Sequence, residues 1–97
     1  MRQIKWDKKA IKQFESAITY IRTDLLANAD KVKTELLNKI DNLMKNAEIY
    51  PPDKYKKGNP GNYRAFELHR YRISYLVKPS DIIIARVRHT SQEPKLY

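Results

Sequence analysis

The chain has 97 residues, enough for one hydrophobic core and too few for two, because folding at this size buries roughly 60–65% of the unfolded surface. Its 20 Lys+Arg against 11 Asp+Glu leave a net charge of +9, which excludes an acidic tail and makes an anionic partner the first to test. The absence of Cys excludes disulfide frameworks, thiolate metal sites and Cys nucleophiles, and it suits a reducing cytoplasm.

Charges are scattered through the N-terminal MRQIKWDKKAIKQF, with no apolar run of signal-peptide length. No stretch approaches the roughly 18 apolar residues of a membrane span, so no membrane partner is expected. The only glycines are Gly58 and Gly61, too few for a Gly-rich phosphate loop. The two His lie in no metal-ligand spacing, so neither a metal nor another cofactor is expected.

In chain order, residues 2–6 alternate, with Ile4 and Trp6 on one side, and predict a short strand. Asp7 is placed to cap a following helix. Ile11, Phe14, Ile18, Ile21 and Leu25 recur at spacings of three and four, an amphipathic helix over about Lys8 to Leu26. Asn28-Ala29-Asp30 breaks the pattern, with Asp30 able to cap a second helix. That helix carries Val32, Leu36, Ile40, Leu43 and Ala47 as its stripe, widened by Leu37 and Met44. A break of about three residues folds the two helices into an antiparallel hairpin. Residues 49–62 hold three of the five prolines and both glycines, and they read as a long loop of a functional or mobile kind.

Beyond the loop the period becomes two. Tyr63 to Leu68, Tyr71 to Val77 and Ile82 to His89 are predicted strands, joined by turns at His69-Arg70 and Lys78-Pro79-Ser80-Asp81. The expected fold is a single α+β domain over residues 1–97, ordered β-α-α-β-β-β. Its helical hairpin covers one face of a mostly antiparallel four-stranded sheet.

The charge is uneven. Residues 1–48 hold 10 Lys+Arg against 7 Asp+Glu, whereas residues 49–97 hold 10 against 4. The helices must shield one sheet face. Tyr71, Ile73, Tyr75 and Val77 are expected to meet them, which turns Arg72 to the other face. In the last strand Ile83, Ala85 and Val87 are expected to pack inward, which sends Arg86 and Arg88 to join Arg72. An open basic face with aromatics beside it suits RNA phosphates and bases. Arg64 and the loop lysines Lys56 and Lys57 extend it as RNA-binding candidates. The competing readings are an acidic protein partner, and plain solvation with pairing of some arginines to Glu67 or Asp81.

Tyr63-Arg64-Ala65-Phe66-Glu67, Tyr71-Arg72-Ile73-Ser74-Tyr75, Ile82 to His89 and the ending Arg88-His89-Thr90-Ser91-Gln92-Glu93-Pro94-Lys95-Leu96-Tyr97 resemble, in order and spacing, the RelE/ParE toxin superfamily. The ending is similar to the ParE-type, or plasmid-stabilisation, branch. The resemblance covers essentially the whole chain and implies a microbial-RNase-like architecture. It also implies the toxin of a type II toxin–antitoxin pair, cytoplasmic in a bacterium and silenced by a cognate antitoxin protein.

The RelE-like branch cuts mRNA on the ribosome. Attack by a 2′-hydroxyl needs a base, cations for the phosphorane and an acid for the leaving oxygen. By this resemblance Arg72 takes the central cationic position, His89 and the terminal Tyr97 supply acid–base groups, and Glu67 is the nearest carboxylate. Arg64 matches a basic position at the start of the preceding strand. Thr90 stands where the RelE-like pattern has a second Arg, and Phe66 replaces a further basic residue. The long hairpin is closer to the ParE branch, whose members poison DNA gyrase without hydrolytic chemistry. Translation inhibition by mRNA cleavage is the first expectation; a gyrase inhibitor or a degenerate toxin is the alternative.

Overall fold

The computed structural model describes residues 2–97. Strand β1 (Gln3–Trp6) leads into helix α1 (Lys8–Ile21), and Asp7 caps the helix by accepting the Lys9 N–H at 2.8 Å. Ala10, Phe14, Ala17 and Ile18 are the buried residues of α1, and the Trp6 ring meets Phe14 edge-on at 5.4 Å. The helix ends sooner than the apolar spacing predicts. The Thr23 hydroxyl bonds back to the Tyr20 carbonyl at 2.6 Å, and the Asp24 carboxylate takes the Leu26 N–H at 2.9 Å. These local side-chain bonds compete with the helical ladder and turn the chain out. Leu25, expected on the buried stripe, is therefore 97% exposed, as is Leu26.

The connection spans residues 22–28 and leads to α2 (Ala29–Asp41). Its cap is Asn28, which accepts the Lys31 N–H at 3.0 Å. Asp30, the expected cap, lies in the first turn instead and pairs with Arg22 at 3.0 Å. A 3-10 turn over Asn42–Met44 then carries Leu43 into the core with Leu36 and Ile40.

Strands β2 (Tyr63–Leu68), β3 (Tyr71–Val77) and β4 (Asp81–His89) form the antiparallel meander, and β1 pairs in parallel with β4, giving the order β1-β4-β3-β2. The β2–β3 turn holds His69 and Arg70 at φ of 54° and 66°. Left-handed residues suit the twist of a two-residue hairpin, and His69 is anchored to Glu35 of α2 at 2.6 Å.

One register detail corrects the sequence reading of β4. Ser74 faces Arg86 and Tyr75 faces Ile84, so Ala85 is an extra residue in the strand. A bulge reverses the alternation on its two sides. Ile82 and Ile84, not Ile83 and Ala85, pack against the helices. Beyond the bulge Val87 is the inward residue, and Arg86 and Arg88 face away as expected.

The second sheet face is not open. The loop after α2 folds back along β2, where the Asp53 N–H bonds the Tyr63 carbonyl at 2.8 Å and Pro52 bridges to Arg64. Asn59 fixes its far end by donating to the Tyr63 carbonyl at 2.8 Å and accepting from Gly61 and Tyr63 N–H groups. A 3-10 turn over Thr90–Gln92 then sends residues 93–97 across the same face. There the Tyr97 N–H bonds the Tyr55 carbonyl at 3.0 Å, and the Lys57 N–H bonds the Tyr97 carbonyl at 2.8 Å.

Candidate functional site: an arginine–carboxylate cluster under the C-terminal segment

Strand alternation collects Arg72 and Ser74 of β3, Glu67 and Tyr63 of β2, and Arg86 and Arg88 of β4 on the face away from the helices. The covering loop brings Asp53 to the middle of them, only 2% exposed. Asp53 accepts from Arg72 Nη2 at 2.9 Å, from the Tyr97 hydroxyl at 2.6 Å and from the Tyr55 N–H at 3.1 Å. Burial by itself would raise the Asp53 carboxyl. Hydrogen bonds from Tyr97, Ser74, Arg72 and the Tyr55 backbone outweigh it and hold the group below its ordinary value.

Arg72 is closed from both sides. Its second Nη donates to Glu67 at 2.8 Å, and its guanidinium stands 4.8 Å from the centre of the Tyr55 ring. Burial opposes its charge, but Asp53 and Glu67 more than compensate, so it titrates even higher than a normal arginine. The Tyr97 phenol is pushed up strongly, first by burial and then by its bond to the Asp53 carboxylate.

A second ion group lies alongside. Arg86, 7% exposed, donates to Glu93 at 2.7 Å and to the Lys95 carbonyl at 2.9 Å, and its guanidinium lies 4.3 Å from the Tyr97 ring centre. Arg88 Nε is 3.3 Å from the same Glu93 oxygen, and Arg88 Nη2 donates to the Gln92 carbonyl at 2.9 Å. Three arginines thus meet three carboxylates, Asp53, Glu67 and Glu93. The face expected to be a basic surface is locally neutralised. On this face the positive charge without a carboxylate partner, among the described residues, lies at the rim. Lys54 stands 5.2 Å from the Tyr55 ring, Lys56 4.9 Å from Tyr63 and 5.3 Å from Tyr97, and Lys57 and Lys95 are exposed nearby.

The residues that the sequence put together are divided between two faces. Arg72, Glu67, Tyr97, Arg86 and Arg88 share the cluster, with Lys56 and Lys57 on its border. Arg64 pairs across the strands with the core residue Tyr75, on the helix side, and donates 3.1 Å to the Glu48 carbonyl and also to that of Tyr50. It therefore pins the loop and does not extend the arginine face. His89 is cross-strand from Tyr71 and also points to the helix side, its ring edge-on to Tyr71 at 5.1 Å. Its Nδ1 accepts the Ser91 N–H at 3.0 Å, so the neutral ring carries its proton on Nε2. His89 lines a separate cleft of about 680 Å³ between α1 and β4, with Lys12, Ser16, Tyr20 and Tyr71.

Asp53, Tyr55, Ser74 and Glu93 were not anticipated. Asp53 had one visible mark, a lone acid between two prolines and a run of lysines in a loop long enough to return to the sheet. Among the described residues no group of three His, Asp or Glu side chains converges as a metal site would require, and no helix is long and apolar enough to cross a membrane.

Residues 4–94 match the model of a family described as the ParE toxin of the type II toxin–antitoxin system parDE. The chain belongs to this ParE toxin family. It is the toxin half of a toxin–antitoxin pair, and the superfamily resemblance read from the strands holds. No curated protein matches the sequence. The fold is similar to that in a structure of the chromosomal ParDE system from P. aeruginosa, with a TM-score of 0.72, 19% identity, and coverage of 92% of this chain and 96% of that one. It is also similar to the YoeB dimer from Staphylococcus aureus, with a TM-score of 0.60, 19% identity, and coverage of 90% and 94%. At these identities the likeness concerns the ParE-family fold: two helices on a four-stranded mixed sheet.

Proposed function

We propose that this toxin arrests growth by stoichiometric binding to its target, DNA gyrase, in the bacterial cytoplasm, and that an antitoxin protein silences it. The observation that carries the reading is the division of the acid–base candidates between the two sheet faces. Cleavage of RNA by a 2′-hydroxyl needs its base, acid and cations around one phosphate. His89 and Arg64 are on the helix side of the sheet, and Glu67 and Arg72 are on the other. A side chain cannot change faces without a one-residue slip of the strand, which would expose the core. Arg72 in turn is held by two carboxylates.

One observation favours the second reading, mRNA cleavage on the ribosome. Arg72 and Tyr97 both hydrogen-bond the one carboxylate, Asp53, at 2.9 and 2.6 Å. In that reading Tyr97 would give the proton, Arg72 would stabilise the phosphorane and the exposed lysines would hold the RNA.

Induction of the chain in a bacterial host, with and without a co-expressed antitoxin, separates the two. The expected result is DNA breakage and an SOS response with mRNA intact, together with loss of supercoiling by purified gyrase. Site-specific mRNA cuts that precede any DNA damage would overturn the binding reading.

A further inference from the structure

The C-terminal segment lies on the arginine face in the manner of a ligand. Its contribution to the core is slight, since Pro94 and Lys95 are exposed and Leu96 is 55% exposed. What holds it is polar: the Tyr97 backbone bonds to Tyr55 and Lys57, the Tyr97 hydroxyl to Asp53, and, against the arginines, a carboxylate and a ring. Glu93 places one oxygen against both Arg86 and Arg88, at 2.7 and 3.3 Å, and gives the other to the Lys95 N–H at 2.9 Å. The Tyr97 ring lies over the Arg86 guanidinium at 4.3 Å. A charged oxygen group between paired guanidiniums with a flat ring stacked on one of them is the pattern a nucleotide makes, its phosphate standing where the carboxylate is and its base where the ring is.

The fit is incomplete in an informative way. Among the described residues, Nε of Arg72 is buried without a hydrogen-bond partner, and Nε of Arg88, also buried, has only the 3.3 Å ion pair to Glu93 and no hydrogen bond. Both Glu93 oxygens are already engaged. A chain of phosphates carries further oxygens that could serve such donors, and the exposed Lys54, Lys57 and Lys95 and the half-buried Lys56 border the path such a chain would take.

We infer that residues Glu93–Tyr97 act as an internal competitor covering a phosphate-and-base site centred on Arg86 and Arg88, and that single-stranded nucleic acid displaces them. The tyrosines interleaved with the rim lysines favour a single strand, whose bases are available to stack, over a duplex or an acidic peptide. The site is independent of whether the toxin's target is gyrase or mRNA. It makes the positive face conditional: neutral when the segment is seated, cationic when it is lifted.

The test uses the full chain carrying Glu93→Gln and Tyr97→Ala. Fluorescence polarisation follows labelled oligothymidylate and oligouridylate of about 12 nucleotides, the matching duplex, and oligoglutamate of similar length. The double variant should bind the single strands about tenfold more tightly than the wild type. Added Arg88→Gln should remove the gain, and Lys54→Gln should lower the salt slope by about one. A cooperative urea transition establishes folding, and amide exchange at Lys57 and Tyr97 reports release of the segment. Unchanged affinity in a folded variant whose amides have lost protection overturns the inference, and so does an equal gain for oligoglutamate. If the double variant does not fold, Glu93→Gln alone carries the same test. Amides that stay protected under saturating oligonucleotide in both the variant and the wild type also overturn it.

Discussion

Replacement of Asp53 by Ala tests the centre of the cluster. The carboxylate receives three hydrogen bonds, from Arg72 at 2.9 Å, Tyr97 at 2.6 Å and the Tyr55 N–H at 3.1 Å. Bonds to a charged group contribute about 1.5–3 kcal/mol each before the cost of dehydrating the carboxylate is set against them. Removal leaves the Arg72 side chain, only 11% exposed, with Glu67 as its one anionic partner, and leaves a half-buried phenol without its acceptor. Breaking a buried pair in this way costs about 3–5 kcal/mol. At this chain length that loss lowers Tm by roughly 15–25 °C. Urea titration followed by circular dichroism measures it. Asp53→Asn keeps the shape and one acceptor oxygen, so it should cost less, about 2 kcal/mol. Arg72→Met removes the guanidinium that has lost its buried partner, and the double variant Asp53→Ala/Arg72→Met should therefore be more stable than the sum of its single changes by about 2 kcal/mol. A loss below about 1 kcal/mol for Asp53→Ala, or strict additivity in the cycle, would refute the claim that this carboxylate organises the face.

Acid should act through the same residue. The folded state holds the Asp53 carboxyl below the unfolded value of 3.8, so its stabilisation is complete above that pH and is lost as the pH falls through the folded value. The urea midpoint should decline from about pH 4 downward, more steeply in the wild type than in Asp53→Asn; parallel declines would place the acid sensitivity elsewhere. Two leucine changes separate core from surface. Leu36→Ala, at a side chain 0% exposed, should cost about 2–5 kcal/mol. Leu25→Ser and Leu26→Ser, each at 97% exposure, should stay within about 0.5 kcal/mol by the same titration.

Residues whose role is set by their own neighbours were legible. The three and four spacing of Phe14 and Ile18, the Asp7 cap and the alternation of Tyr71, Ile73 and Tyr75 are local signals, and each lies where those signals place it. The end of α1 was obscured because Leu25 continues the apolar spacing while Thr23 and Asp24 terminate the helix through side-chain bonds, which carry no periodicity. The β4 pattern was misjudged because Ile82, Ile83 and Ile84 are equally apolar, and the bulge at Ala85 selects which of them turn inward. The arginine face was correct in membership for Arg72, Arg86 and Arg88. Its charge state was not, because Asp53 and Glu93 reach it from segments 19 and 7 residues distant in sequence from the arginines they meet.

The sequence by itself determined the order β-α-α-β-β-β, the superfamily, and an excess of positive charge concentrated in the second half of the chain. All three follow from composition, short-range period or the linear order of motifs. Only the tertiary structure decided where that charge is available. Net charge counts ionised groups wherever they are, but the field at a surface depends on which carboxylates lie within a few ångströms of which guanidiniums, and loop return and a strand bulge set those distances. Three arginines are spent on Asp53, Glu67 and Glu93 beneath the C-terminal segment, and His89 is turned to the opposite side of the sheet. On that face, the charge left for a partner is carried by the lysines at the rim.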